Sequence, residues 1–157
     1  VVQAARRLRN GAEVGYVCAE LEAAFARQEI VLSAFSLKQM KKSGRISAAA
    51  AFAGELLGLR PIISLIDGVT KVEDKVRGDA AVPAAMIKQV RKRMDYPDGD
   101  VHYMLGCTDI PNVKELEKLC RKEFGRGPDA VFKLGAAVAS NTGPDAMAIV
   151  YQGVPRR

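Results

Sequence analysis

An Asp-Gly pair at residues 67–68 lies between two apolar, strand-like runs and constrains the fold more than any other feature of the sequence. The runs cover residues 62–66 and 69–76, and an Asp-Gly connection of this kind is among the strongest hairpin signals. They therefore predict an antiparallel pair of strands. Short apolar runs elsewhere in the chain predict four further strands, at residues 30–35, 101–105, 130–139 and 146–151.

Helical patterns separate these strands. Apolar spacing, alanine content and capping residues predict six helices, at residues 1–9, 12–28, 36–42, 48–57, 79–94 and 112–124. Strands that alternate with helices, together with one antiparallel hairpin, indicate an α/β fold. We expect a two-layer or three-layer sandwich with a mixed β-sheet, and 157 residues with 48% hydrophobic content suffice for its core.

The amino-acid composition limits which classes of binding partner are expected. Lys and Arg total 24 against 18 acidic residues, which favours anionic partners in general. The basic runs are short and lack interleaved aromatics, so no nucleic acid is expected. The sequence shows neither the pattern of an export signal nor an apolar stretch of membrane-spanning length, so neither an export signal nor a membrane span is expected. The three cysteines have no CxxC or metal-ligand spacing, so we expect a cytoplasmic protein with reduced thiols and no metal.

A first polar turn, at residues 43–47, has the sequence SGRIS and precedes the predicted helix 48–57. Free amide groups at a helix start favour an anion, and Arg45 and Ser47 are placed to assist. A carboxylate or a phosphate fits this turn. Alternatively, Ser47 only caps the helix and Arg45 pairs with a structural carboxylate.

A second polar turn, at residues 140–144, places Ser140, Asn141 and Thr142 after the predicted strand 130–139. Such a turn suits an oxygen-rich group, although an ordinary turn that contains Asn and Gly has the same composition. His102 is the one histidine of the chain, which excludes a histidine triad or a His-rich metal site within it. With no evident acid and base pair, the sequence predicts binding rather than catalysis and no cofactor.

Four motifs in a fixed order resemble the DegV family. They are LKQMKKSGRISAAA at 37–50, RPII at 60–63 with the following Asp-Gly pair, KVRG at 75–78 and SNTGP at 140–144. The resemblance covers essentially the whole chain but only the C-terminal part of a family member. It implies that residues 1–28 are linker helices from a missing N-terminal domain, which the initial Val also suggests, and that residues 29–157 form the DegV-type C-terminal α/β domain.

The resemblance implies a bacterial lipid-binding protein that is not an enzyme. Such a protein holds a long-chain fatty acid in an apolar tunnel, with the carboxylate near the domain junction, and presents it to a separate fatty acid kinase. Arg45 matches the arginine of the family's GGRIS-like motif, and Arg77 matches that of its VRG-like motif. Asn141 departs from the histidine of an HTGP-like loop, and asparagine cannot carry a positive charge.

Several other residues complete the expected ligand site. Ser47, Ser140 and Thr142 are candidate hydrogen-bond donors to the carboxylate, while Phe52, Leu56 and Leu57 are candidates for the acyl wall. Two other functions stay open on the sequence: a sensor or small enzyme domain for a phosphorylated metabolite, and a pure protein-interaction domain. The isolated fragment is expected to form a homo-oligomer, because its apolar face lacks a cover.

Overall fold

The computed structural model describes residues 1–35, 37–44, 58–66, 68–96, 101–109 and 113–154. Six α-helices occur in these residues: α1 (Val2–Arg9), α2 (Val14–Phe25), α3 (Leu37–Lys42), α4 (Val82–Arg91), α5 (Lys114–Phe124) and α6 (Ala136–Thr142). A short 3-10 helix, Asp79–Ala81, precedes α4. There are six strands: β1 (Gln28–Ala34), β2 (Leu59–Ile66), β3 (Val69–Arg77), β4 (Tyr103–Cys107), β5 (Ala130–Lys133) and β6 (Ala146–Gln152).

The strands form one mixed sheet in the order β3-β2-β1-β6-β4-β5. Only β4 and β5 are parallel, and each of the other neighbouring pairs is antiparallel. The predicted hairpin is β2 with β3, and Gly68 between them adopts a φ of 76°, which a glycine tolerates without strain. The α/β class and the mixed sheet are therefore confirmed.

Helices α4 and α5 cover one face of the sheet and enclose the main core. Their apolar side chains pack on the alternate strand residues that point toward them. The most deeply buried members include Val31, Met86, Val90, Leu105, Leu116, Cys120 and Ile149.

Burial raises the pKa of the Cys120 thiol to about 12, so this thiol stays protonated at neutral pH. All three cysteines are free, and only Cys18 is exposed.

The predicted strand 130–139 is wrong in its second half. β5 ends at Lys133, and after Gly135 the chain forms helix α6. Three of the first four helical residues are alanines, which favour a helix once a glycine has interrupted the strand. A short apolar run does not distinguish a strand from a helix by periodicity, which explains the error.

Several predicted boundaries also shift. The second helix ends at Phe25, three residues before its predicted end, and β1 already begins at Gln28. The start of α2 is fixed by Glu13, whose carboxylate accepts hydrogen bonds from the amides of Gly15 (2.8 Å) and Tyr16 (2.9 Å).

Within the described ranges, the helices are too short or too polar to cross a membrane.

Candidate functional site

The strand directions bring several candidate residues to one end of the sheet, here called the upper end. β1 ends there at Ala34, which pairs with Ala146 at the start of β6. β3 ends there at Arg77, opposite Leu59. Three strand spacings of about 4.8 Å separate β3 from β6, so Arg77 lies roughly 14 Å from the start of β6. The structure therefore places Arg77 at the same end as the 140–144 segment but not in contact with it.

Ser140, Asn141 and Thr142 form the last turn of α6 and not a turn after a strand. Their side chains all donate hydrogen bonds to carbonyls of their own helix. The Asn141 amide nitrogen lies 2.6 Å from the Ala137 oxygen. A primary amide carries two hydrogens, so Asn141 keeps one donor for another group. Among these three residues, the half-buried Asn141 is thus best suited to meet a ligand oxygen without breaking a bond of the helix.

Helix α3 is fastened to α6 at the upper end. The Gln39 side-chain amide donates to the Ser140 carbonyl at 2.7 Å, and Met40 is buried against Ala34 and Ala146. Gly44 ends this helix with a φ of 70°. Because α3 contacts α6, the first polar turn, which follows α3, begins close to α6 in space. The remaining sequence candidates, Arg45, Ser47, Phe52, Leu56 and Leu57, lie outside the described residues.

The sheet face opposite α4 and α5 carries a row of apolar side chains that runs across four strands. The pairing register aligns Leu65, Ile30, Val150 and Met104 side by side, and each is only half-buried. We call this row, together with the neighbouring Leu32, the open face. Four adjacent apolar residues that remain partly accessible on a central sheet are unusual unless something else covers them.

Small residues beside the open face let neighbouring side chains pack closely on the sheet. Leu32 pairs with Ala148, which in turn pairs with Gly106. A methyl group at Gly106 would approach the Phe132 ring to 2.9 Å, so this position must lack a side chain for Phe132 to lie across β4. Phe132 itself is 36% exposed. The sheet surface between the open face and the upper end is therefore apolar and largely buried.

The sequence profile of the DegV family of uncharacterised proteins matches residues 1–153 of this chain. This chain belongs to the DegV family. It is 27% identical over 152 residues to a DegV domain-containing protein of Clostridium acetobutylicum, covering 96% of this chain and 52% of the relative. It is 24% identical to a fatty acid-binding protein of Thermotoga maritima, over 96% of this chain and 53% of that protein.

Solved structures of DegV proteins share the fold. A fatty acid-binding DegV protein from Thermus thermophilus matches with a TM-score of 0.77 and 26% identity, covering 98% of this chain and 55% of its own. A DegV protein from Eubacterium eligens loaded with heptadecanoic acid matches with a TM-score of 0.79 and 16% identity, over 96% and 54% of the two chains. The chain thus spans about half the length of these DegV relatives.

Thr108 lies at the candidate site, and none of the sequence motifs indicates it. Its hydroxyl donates to the Pro144 carbonyl and accepts from the Ala146 amide at 2.9 Å. Its own amide donates to the Ala146 carbonyl at 2.9 Å. Thr108 therefore holds the segment between α6 and β6 against the end of β4. Its partners are more than 30 residues away along the chain, and no local pattern marks the contact.

We expect Thr108→Val to loosen this segment while the fold persists. The valine keeps the shape but removes two hydrogen bonds, each worth about 1 kcal/mol. Hydrogen exchange at the Ala146 amide should become at least about tenfold faster. Thr108→Ser retains the hydroxyl and serves as the control, with exchange close to that of the parent. Equal protection of Ala146 in the valine and serine variants would show that Thr108 does not hold the segment.

Proposed function

We propose that this DegV chain binds a long-chain fatty acid, with the acyl tail along the open face and the carboxylate at the upper end. The half-buried apolar side chains of the open face, which extends toward the upper end at Leu32, carry this proposal. Fatty acid binding by the Thermotoga and Thermus relatives supports it. A phosphorylated metabolite would bury few apolar groups and would leave this row without an occupant.

The energetics suit such a ligand. Burial of about 12 methylenes at about 0.8 kcal/mol each gives a gross driving force of about 10 kcal/mol. Around the carboxylate we propose Asn141 through its remaining amide hydrogen, with Arg45, Ser47, Ser140 and Thr142 as further contacts. Arg77 contributes mainly through its charge at the same end of the sheet. Phe52, Leu56 and Leu57 are proposed to cover part of the tail.

The proposed cellular role is that of a cytoplasmic carrier that presents the carboxylate to a separate fatty acid kinase and catalyses nothing itself. The sequence supports a non-catalytic role because it has no GxxxxGK phosphate loop and a single histidine. Handover to a kinase requires an accessible carboxylate, which a site at the end of the sheet provides.

Asn141→His in the full-length protein is expected to bind the fatty acid carboxylate more tightly. A protonated imidazole adds a charge-assisted hydrogen bond, worth about 1.5 to 3 kcal/mol. Fatty acid affinity, or acyl phosphate formation with a cognate kinase, should rise by more than a few-fold. Identical results for the variant and the parent in both assays would show that residue 141 does not contact the carboxylate.

Val150→Asp is the direct test of the open face. A carboxylate in the middle of the apolar row would be buried beside the tail or would have to displace it, and an unpaired buried charge is costly. We expect the affinity of the full-length protein for hexadecanoic acid to fall more than tenfold. Val69→Asp introduces the same charge at a residue that is 67% exposed and should bind like the parent.

Thermal unfolding of both variants shows whether they remain folded. If a folded Val150→Asp protein binds hexadecanoic acid as tightly as Val69→Asp does, the tail does not lie on the open face.

A further inference from the structure

A cavity of about 110 Å³ lies at the lower end of the open face, under the two N-terminal helices. Its apolar walls include Leu21 and Ala24 from α2 and Met104 and Val150 from the sheet. Val17, Leu21 and Ala24 follow one another at helical spacing, so this face of α2 points toward the sheet. The cavity therefore lies against Met104 and Val150 of the apolar row, and α2 borders it on the side away from the sheet.

The distance from the upper end to this cavity fits one acyl chain. Val150 lies four residues after Ala146 on β6, which corresponds to about 13 Å at about 3.3 Å per residue. Half of a bilayer core, the span of one lipid tail, is about 15 Å. A fatty acid with its carboxylate beyond Ala146 would therefore bring its last carbons to the cavity.

We propose that helix α2 sets the maximum length of the acyl chain that this protein accepts. This inference rests on the proposed function. The cavity has room for roughly three or four water-sized groups, which is comparable to a few methylenes. Leu21 and Ala24 limit that room from the side opposite the sheet. Acyl chains that extend into the cavity gain affinity with each added carbon. Longer acyl chains clash with α2 and bind more weakly.

Two substitutions on α2 should move the chain-length preference in opposite directions. Ala24→Leu fills the cavity and should weaken binding of octadecanoic acid by about tenfold or more, with tetradecanoic acid little changed. Leu21→Ala enlarges the cavity and should shift the optimum toward longer chains, because each additional buried methylene is worth about fourfold in affinity. Ala23→Leu adds the same side-chain volume on the exposed side of α2 and is the matched control.

The experiment titrates the full-length parent and the three variants with saturated fatty acids from dodecanoic to eicosanoic acid, after thermal unfolding has shown that each is folded. Opposite shifts for Ala24→Leu and Leu21→Ala, with the parent profile for Ala23→Leu, would establish α2 as the length determinant. Binding with the parent's chain-length profile in both cavity variants would overturn this inference and leave the proposed function intact. A parent that binds no fatty acid of any length would overturn the proposed function, and this inference with it.

Discussion

The 157-residue chain on its own is expected to bind long-chain fatty acid more than a thousand-fold more weakly than a form that includes an adjoining domain. We propose that such a domain covers the open face, since the DegV relatives are about twice as long. Loss of contacts to half of a tail of about 12 methylenes removes about 5 kcal/mol, which corresponds to this change in affinity.

The exposed apolar side chains near the open face predict a second effect in the same experiment. Phe132 is 36% exposed and Val138 on α6 is 43% exposed, and both lack an apolar cover in the described structure. Exposed apolar side chains of this kind, beside a half-buried apolar face, favour an interface. We therefore expect the isolated chain to self-associate as its concentration rises.

Sedimentation velocity over a hundred-fold concentration range, combined with fatty acid titration, measures both effects. A strict monomer that binds fatty acid as tightly as the longer form would show that this chain contains the complete site and that no other domain contributes to it.

Glu29→Ala is expected to produce a larger loss of stability than substitutions at the exposed ion pairs of the described residues. The Glu29 carboxylate is 5% exposed and accepts from the Arg93 guanidinium at 2.6 Å and from the Tyr151 hydroxyl at 2.8 Å. These bonds join β1, β6 and the segment after α4. Burial, together with the hydrogen bond to Glu29, raises the pKa of the Tyr151 hydroxyl well above its ordinary value.

Removal of the carboxylate leaves both donors without their acceptor. Breaking a fully buried ion pair costs about 3 to 5 kcal/mol, and because Arg93 is 35% exposed we expect about 2 to 3 kcal/mol here. Chemical denaturation of the full-length protein measures this loss. Glu20→Ala breaks the exposed pair with Arg7 and should cost less than about 1 kcal/mol. Equal stability of the two variants would contradict a structural role for Glu29.

The sequence predicted the strand content and the hairpin well because these depend on local signals. The Asp-Gly pair and the flanking β-branched residues identify β2 and β3 without any tertiary information. Helix α6 was missed because its short apolar segment carries no clear period and follows a real strand. It packs against α3, where the Gln39 side chain donates a hydrogen bond to the Ser140 carbonyl across 101 positions of sequence separation.

The candidate site was predicted in part. The motifs pointed to Asn141 and Arg77, and the strand order brings both to the upper end of the sheet. The distance of roughly 14 Å between Arg77 and the start of β6 could not be read from the motifs, because it depends on the two strands that lie between β3 and β6. Thr108 and Glu29 make their contacts through long-range pairing, which a single sequence does not encode locally.

The most direct test of fatty acid binding is native mass spectrometry of the full-length protein purified from bacterial cells. Our account predicts a single noncovalent adduct with the mass of one long-chain fatty acid, which is released when the protein is denatured. An adduct with the mass of a phosphorylated metabolite, or a protein that stays free of ligand after incubation with hexadecanoic acid, would contradict it.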